Sequence, residues 1–316
     1  MNHPPLYTLP FAEVKDLALL DEPLVSAAGY LLSGRDRKFD EKYAYYVWSA
    51  DVDNAIFKGL LRPEDNPKGA AAPANIKKGA AVAVLNKKGK PFSWSPSAIG
   101  DFLTCPAQYA AKRFYVTLPY VESEAMRQGT IEHKHLEDRI AHKTPLPEGY
   151  TRGEKKCLAL EKMVAGGGTL VAERELAITE DFKFVGWFDK NAWGRCKIDV
   201  TAITLPTIFV GDWKTGNVKE DLLQLKINAC FLALEYPEAE EFITRFFWLK
   251  SNEVAPRDGS GNFKGTQIPE LWEEILGILY RMKVAWQSEV FNPRPSGLCR
   301  NYCAVTSCLH CGKGGR

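Results

Sequence analysis

Between Leu170 and Trp213 three stretches rich in β-branched and aromatic residues follow one another: Leu170 to Ile178, Phe182 to Trp193 and Thr207 to Trp213. Each shows partial apolar–polar alternation and reads as a strand. On both sides the apolar spacing changes to a helical period. Ser95-Pro96-Ser97 opens one helix, with Ser95 as cap and Pro96 at the first helical position, and Ile99, Phe102, Leu103 and Tyr109 follow at helical spacing. A second helix is predicted from about Glu124 to His142, a third between Lys155 and Ala165. After the strands come a helix over Asp221 to Tyr236, a strand over Phe242 to Leu249 and an amphipathic helix over Leu271 to Val290. This order predicts an α/β fold with a mixed central sheet flanked by helices.

The predicted core begins near residue 92. Residues 1–61 form an N-terminal extension without a chemistry of their own. Residues 62–91, from Arg62-Pro63-Glu64-Asp65-Asn66-Pro67 into Ala- and Lys/Gly-rich sequence, read as a linker or exposed loop, with one short candidate strand at Ala80 to Leu85. The core is assigned to 92–298 and a cysteine-rich tail to 299–316, packing back on the core. The 316 residues carry 45% apolar and 25% charged residues, ordinary for a globular chain, and a net charge of +2. Any contact with nucleic acid must therefore come from local patches rather than a bulk field. No apolar run is long enough to span a membrane. Met1 to Pro10 has neither the basic flank nor the apolar stretch of a signal peptide, so a cytoplasmic location is expected.

The chemistry concentrates in Val210-Gly211-Asp212-Trp213-Lys214-Thr215-Gly216. Residues two apart on a strand share a face, which puts Asp212 and Lys214 together. A carboxylate beside an ammonium binds a divalent cation and steadies an attacking water or a phosphate oxygen. Taken alone, such a pair is more often a surface ion pair of little consequence. Upstream, Gly186-Trp187-Phe188-Asp189 ends an apolar stretch with a second carboxylate. Two carboxylates attract a hard cation, Mg²⁺ or Mn²⁺. In Gly129-Thr130-Ile131-Glu132-His133-Lys134-His135-Leu136-Glu137, His133 and Glu137 share a helix face, and His133 offers a nitrogen ligand that favours Mn²⁺.

Gly-x-x-x-His on a helix, Gly-x-x-Asp, Asp-x-Lys-Thr-Gly and a glutamine in the next helix occur in this order in RecB-like nucleases of the PD-(D/E)XK superfamily, which the chain resembles from about residue 92 to 311. The resemblance implies a restriction-endonuclease-like core. It implies that His133, Asp189 and Asp212 bind Mg²⁺ or Mn²⁺, with the Trp213 carbonyl as a further ligand. Asp189, Asp212, Lys214 and Gln224 would be catalytic, Lys214 orienting or deprotonating the water. Glu173 or Glu175 matches an acidic position before the Gly-x-x-Asp strand.

Cys105 and the C-terminal cysteines also resemble this family. Its iron–sulfur members hold a 4Fe-4S cluster with one cysteine before the core and three at the C-terminus, which implies Cys105, Cys299, Cys303 and Cys308 here. Cys299 and Cys308 keep the outer spacing of that pattern, but Cys303 is shifted by one position and Cys311 is additional. A zinc site of Cys299, Cys303, Cys308 and Cys311 is the alternative. The implied activity is a metal-dependent DNA exonuclease of recombination, repair or phage DNA processing. A CRISPR-associated end-trimming nuclease and a DNA-binding protein without catalysis are the competing readings. No G-x-x-x-x-G-K-[ST] loop is present, so a helicase, like a strand-annealing protein, would be a separate partner.

Overall fold

A computed structural model describes residues 6–9, 45–48, 85–118, 122–218 and 221–313. The chain divides into two compact units, residues 1–92 with 276–293 and residues 93–275 with 294–316. In the first, β1 (Leu6–Leu9) pairs antiparallel with β2 (Tyr45–Trp48). Asn86 closes a turn there by accepting from the Lys88 and Lys90 amides at 2.9 Å. The Phe92 ring meets Trp286 edge-on at 5.7 Å. The candidate strand at 80–85 and most of the linker fall outside the described residues.

The second unit carries the sheet. Its helices begin where the sequence places their caps. The Ser95 hydroxyl accepts from the Ala98 amide at 3.2 Å to start α1 (Pro96–Thr104), and α2 (Pro106–Tyr109) follows. Ser123 does the same for Met126 at the start of α3 (Glu124–His142), and α4 spans Glu154–Val164. Leu136 and Ile140 of α3 and Cys157 and Leu160 of α4 are buried against Val200, Ala202, Trp213 and Phe247 of the sheet. Each large side chain buried in this way contributes roughly 1.5–3 kcal/mol. Arg139 fastens the two helices, donating to Glu154 at 2.6 Å and to Glu161 at 2.8 Å.

The strands β3 (Thr169–Ile178), β4 (Phe184–Val185), β5 (Gly194–Thr204), β6 (Thr207–Lys214), β7 (Glu241–Trp248), β8 (Glu253–Ala255) and β9 (Asn262–Lys264) form one seven-stranded sheet. Its order is β4-β3-β5-β6-β7-β8, with β9 also on β7. All pairs are antiparallel except β6 and β7, which run parallel on either side of α5 (Leu222–Glu235) in sequence. The long helix α6 (Ile268–Ser288) and the short α7 (Leu298–Asn301) follow. This is the expected mixed α/β architecture, consistent with a restriction-endonuclease-like fold.

One strand is misplaced by the sequence reading. The stretch 182–193 is a strand only at Phe184–Val185, and the true second long strand is Gly194–Thr204. Turn chemistry explains the first part: the Asp189 carboxylate accepts from the Asn191 amide at 2.7 Å, which closes a turn after Gly186. The second part was hidden by Arg195, Lys197 and Asp199, charges interleaved with the buried Cys196, Ile198 and Val200.

Candidate active site

The site grows from a tight hairpin. Strands β5 and β6 reverse at Leu205-Pro206, so that Thr204 pairs with Thr207 and Val200 with Gly211. The ladder ends at that pair, and just beyond it the Asp199 carboxylate accepts from the Trp213 amide, next to Asp212. On the other side of β5, Ala172 pairs with Val200 and Arg174 with Ile198, which places Glu173 opposite Asp199. Three neighbouring strands thus line up Glu173, Asp199 and Asp212 in a row.

Gly211 makes the row possible. A Cβ there would lie 2.4 Å from Phe247 Cε2 and 2.8 Å from Val200 Cγ1, so any side chain would push β6 away from its neighbours. Gly129 on α3 has a related role. A Cβ on it would sit 3.0 Å from Thr215 Oγ1, so its absence lets α3 approach the end of β6.

From α3, His133 reaches the row with Nδ1 3.6 Å from Asp199 Oδ2. Ligand atoms of His133, Glu173 and Asp199 all lie within 4.8 Å of one another. Asp199 Oδ2 also accepts from the Trp213 amide at 2.7 Å. Asp212 is only 2% exposed. Its Oδ1 accepts from Gln224 Nε2 at 2.5 Å, and its Oδ2 lies 2.5 Å from Lys214 Nζ in an ion pair outside hydrogen-bond geometry. Lys214 Nζ donates to Gln224 Oε1 at 3.1 Å, so one amide of α5 holds both ends of the D-x-K element. Glu173 Oε2 forms a similar ion pair with Lys197 Nζ at 2.5 Å.

The electrostatics follow from the crowding. Two unit charges about 4 Å apart repel by about 4 kcal/mol at an effective dielectric constant near 20. Burial first, and then the Asp199 charge, push Asp212 up to about 7 against the opposing pull of Lys214. Burial and Asp199 likewise raise Glu173, with Lys197 opposing. For His133 burial alone acts downward, but the close Asp199 carboxylate and the charges of Asp212 and Glu173 leave it raised. Buried carboxylates sharing so few cations are what a bound divalent metal would relieve. Three carboxylates and one imidazole suit Mg²⁺ or Mn²⁺. The residues present therefore fit such an ion.

Of the residues singled out from sequence, the structure brings together His133, Asp212, Lys214 and Gln224, and of the two glutamates it selects Glu173. Trp213 is on the same strand, its ring turned to the opposite, core side against Phe247 at 4.7 Å. Asp189 is not part of the group. It sits in the turn between β4 and β5, its carboxylate accepting from the Asn191 amide, while Asp199 lies with His133 and Glu173. A signal for Asp199 was present: Leu205-Pro206 punctuates two strand-like runs, and folding the chain back there sets Asp199 against Asp212.

A family model of the PD-(D/E)XK nuclease superfamily matches residues 93–308. The chain belongs to the PD-(D/E)XK nuclease superfamily. No curated protein matches it. Metal-dependent nuclease chemistry is the activity that membership implies, and Asp212-Trp213-Lys214 is a literal D-x-K of the superfamily's name. In this PD-(D/E)XK chain no cysteine belongs to the His133, Glu173 and Asp199 group. The Arg294 amide donates to Cys105 Sγ at 3.4 Å, and the Arg294 side chain donates to the Leu103 carbonyl. Burial first, and then the nearby Cys311, Cys299 and Cys308, raise the Cys303 thiol. Cys311 Sγ lies 3.6 Å from the Cys303 carbonyl. Among the described residues no helix is long and apolar enough to cross a membrane.

Proposed function

We propose that this protein is a DNA exonuclease of the RecB-like branch, acting in recombination, repair or phage DNA processing. The carrying observation is the convergence of His133, Glu173 and Asp199 with the Asp212–Lys214–Gln224 network where β5 and β6 run side by side. His133, Asp199 and Asp212 would hold Mg²⁺ or Mn²⁺, with Glu173 and the Trp213 carbonyl as further donors. Held by these residues, a divalent ion would supply activation of the attacking water and neutralisation of charge on the phosphate oxygens. Lys214 holds a positive charge where a nucleophilic water or a phosphate oxygen would sit. Gln224 fixes the Lys214 ammonium and the Asp212 carboxylate in one geometry, so both are pre-oriented before substrate arrives. Asp199 braces the Trp213 backbone and so fixes the strand between those two residues.

The cysteines support a second, structural centre. Cys303 with Cys299, Cys308 and Cys311 in its electrostatic reach, and Cys105 beside the segment leading into Cys299, are an all-sulfur donor set that suits 4Fe-4S or zinc. The 4Fe-4S reading uses Cys105, Cys299, Cys303 and Cys308. Iron and acid-labile sulfide in anaerobically purified protein support it, whereas one zinc per chain supports the set with Cys311. The protein would work in the cytoplasm beside a separate helicase or single-strand annealing partner.

The test of function uses end-labelled linear and closed circular DNA with Mg²⁺ or Mn²⁺, beside Lys214→Ala. Degradation of linear DNA alone, abolished by the substitution and by a chelator, is expected. Cleavage of circles would make the protein an endonuclease, and no cleavage of either would overturn the catalytic reading.

A further inference from the structure

The turn from Gly186 to Asn191 carries Asp189, which the metal site does not use, and presents Phe188 with 92% of its surface exposed. It is one of the most exposed large apolar side chains among the described residues. The turn is also firmly built. The Asp189 amide donates to the Gly186 carbonyl at 2.9 Å, and the Ala192 amide to the Asp189 carbonyl at 3.1 Å. From below, Arg195 donates to the Trp187 carbonyl at 2.9 Å and to the Ala192 carbonyl at 3.3 Å. The residues flanking the turn rest on an aromatic cluster, with Trp193 edge-on to Trp94 at 5.5 Å and Phe182 against Trp272 at 4.9 Å. Gly194 completes the mount, because a Cβ there would lie 2.7 Å from the Trp94 ring.

The position of the turn matters as much as its rigidity. β5 leaves it at Gly194 and reaches Asp199 after a run of about 16 Å at 3.3 Å per residue. Because β5 and β6 are antiparallel, the turn hangs from the same end of the sheet as Lys214. Lys197 lies on β5 between the turn and Asp199 and is held by its ion pair with Glu173. Lys190 stands exposed next to Asp189, whose carboxylate is engaged with the Asn191 amide, while Lys183 is paired with Asp181 at 2.5 Å.

We propose that this turn grips the substrate strand, with the Phe188 ring stacking on an unpaired DNA base and the exposed Lys190 meeting a phosphate beside that base. Stacking on an exposed aromatic is how single strands are held without sequence preference. Asp189 acts here as a positioning residue that shapes the turn. The proposal rests on the nuclease reading and specifies how that site selects single-stranded ends.

The experiment compares the full-length protein with Phe188→Ala and Phe188→Trp, using single-stranded DNA that carries 2-aminopurine near one end. The wild type should quench the fluorophore on binding and cleave the strand. Loss of a stacking contact of about 1–3 kcal/mol should raise KM roughly 5- to 150-fold in Phe188→Ala with kcat little changed, since only binding common to ground and transition states is removed. Phe188→Trp should restore both quenching and KM, and neither substitution should alter the melting temperature. Wild-type cleavage with unchanged KM and quenching in Phe188→Ala would overturn the stacking proposal and leave the nuclease standing. Failure of the tryptophan to restore either would also overturn it. A wild type that cleaves no DNA would remove the nuclease reading and this inference with it.

Discussion

Glu173 on β3 and Asp199 on β5 stand opposite one another, yet the backbone ladder that joins Ala172 to Val200 and Arg174 to Ile198 omits the pair between them. Glu173 has φ of +49°, a left-handed conformation in the middle of a ten-residue strand. For a non-glycine residue this costs on the order of 1–3 kcal/mol. The strain sits where a carboxylate of the candidate metal group is set, which is how a strained residue persists in a working site.

That strain makes an unusual order of stabilities. Glycine in a strand is ordinarily less stable than alanine by about 0.5–1 kcal/mol. At position 173 the order should invert, with Glu173→Gly more stable than Glu173→Ala by about 1 kcal/mol, because only glycine accepts the positive φ without cost. Urea unfolding of the two variants measures it. An alanine variant equal to or more stable than the glycine one would show that φ carries no strain. Both substitutions should impair metal-dependent cleavage.

Asp199 lies with His133 and Glu173, whereas Asp189 lies in a turn outside that group. Asp199→Asn should reduce cleavage by more than the roughly 10- to 100-fold lost with outer-shell partners of a metal, and should remove the rise in melting temperature that Mn²⁺ gives the wild type. A ligand at 100 times its Kd stabilises by about 2.7 kcal/mol, so that rise is measurable. Asp189→Asn should keep the metal response. Loss of the Mn²⁺-dependent rise in Asp189→Asn and not in Asp199→Asn would return Asp189 to the metal site.

Gly211→Ala places a methyl group 2.4 Å from Phe247 and 2.8 Å from Val200 in a packed core. Overpacking of this kind typically costs about 1–3 kcal/mol. The displaced strand carries Asp212 and Lys214, so cleavage should fall together with the urea midpoint. A variant of unchanged stability and activity would refute the packing argument.

The clamp between α3 and α4 gives an acid limb to stability. Arg139 first, and then Lys143, hold the Glu161 carboxyl down to about 2 from its ordinary 4.5. A carboxyl depressed on folding contributes stability that is complete above its unfolded pKa and fades as pH falls through the folded one. Glu161→Gln should therefore be less stable than the wild type at neutral pH, and the two melting temperatures should converge between about 4.5 and about 2. A gap constant down to the acid end would exclude Glu161 as its source.

Helix positions were legible because caps and periodicity agree: Ser95 and Ser123 mark the starts of α1 and α3, and Leu136 and Ile140 carry the buried stripe. The D-x-K strand was legible because Val210, Asp212, Trp213 and Lys214 alternate around a residue with no side chain. β5 was not, because Arg195, Lys197 and Asp199 make a half-buried strand look polar. Its charges serve a turn, a glutamate and the candidate metal site, relationships that lie across strands and leave no local period. Gly186 to Asp189 misled for the opposite reason, as local turn chemistry that imitates a strand end.

The hairpin that joins Asp199 to Asp212 has a consequence for how this site tolerates change. Side chains alternate between the two surfaces of a sheet, so parity along each arm decides which surface a carboxylate meets. One inserted residue between Leu205 and either aspartate turns that aspartate to the other surface. Two inserted residues restore the surface but carry the carboxylate about 6.6 Å along the strand, away from its partners. The lengths of the two arms are therefore as tightly bound to the chemistry as the aspartates themselves, and insertions and deletions should be excluded from them even where substitutions are accepted.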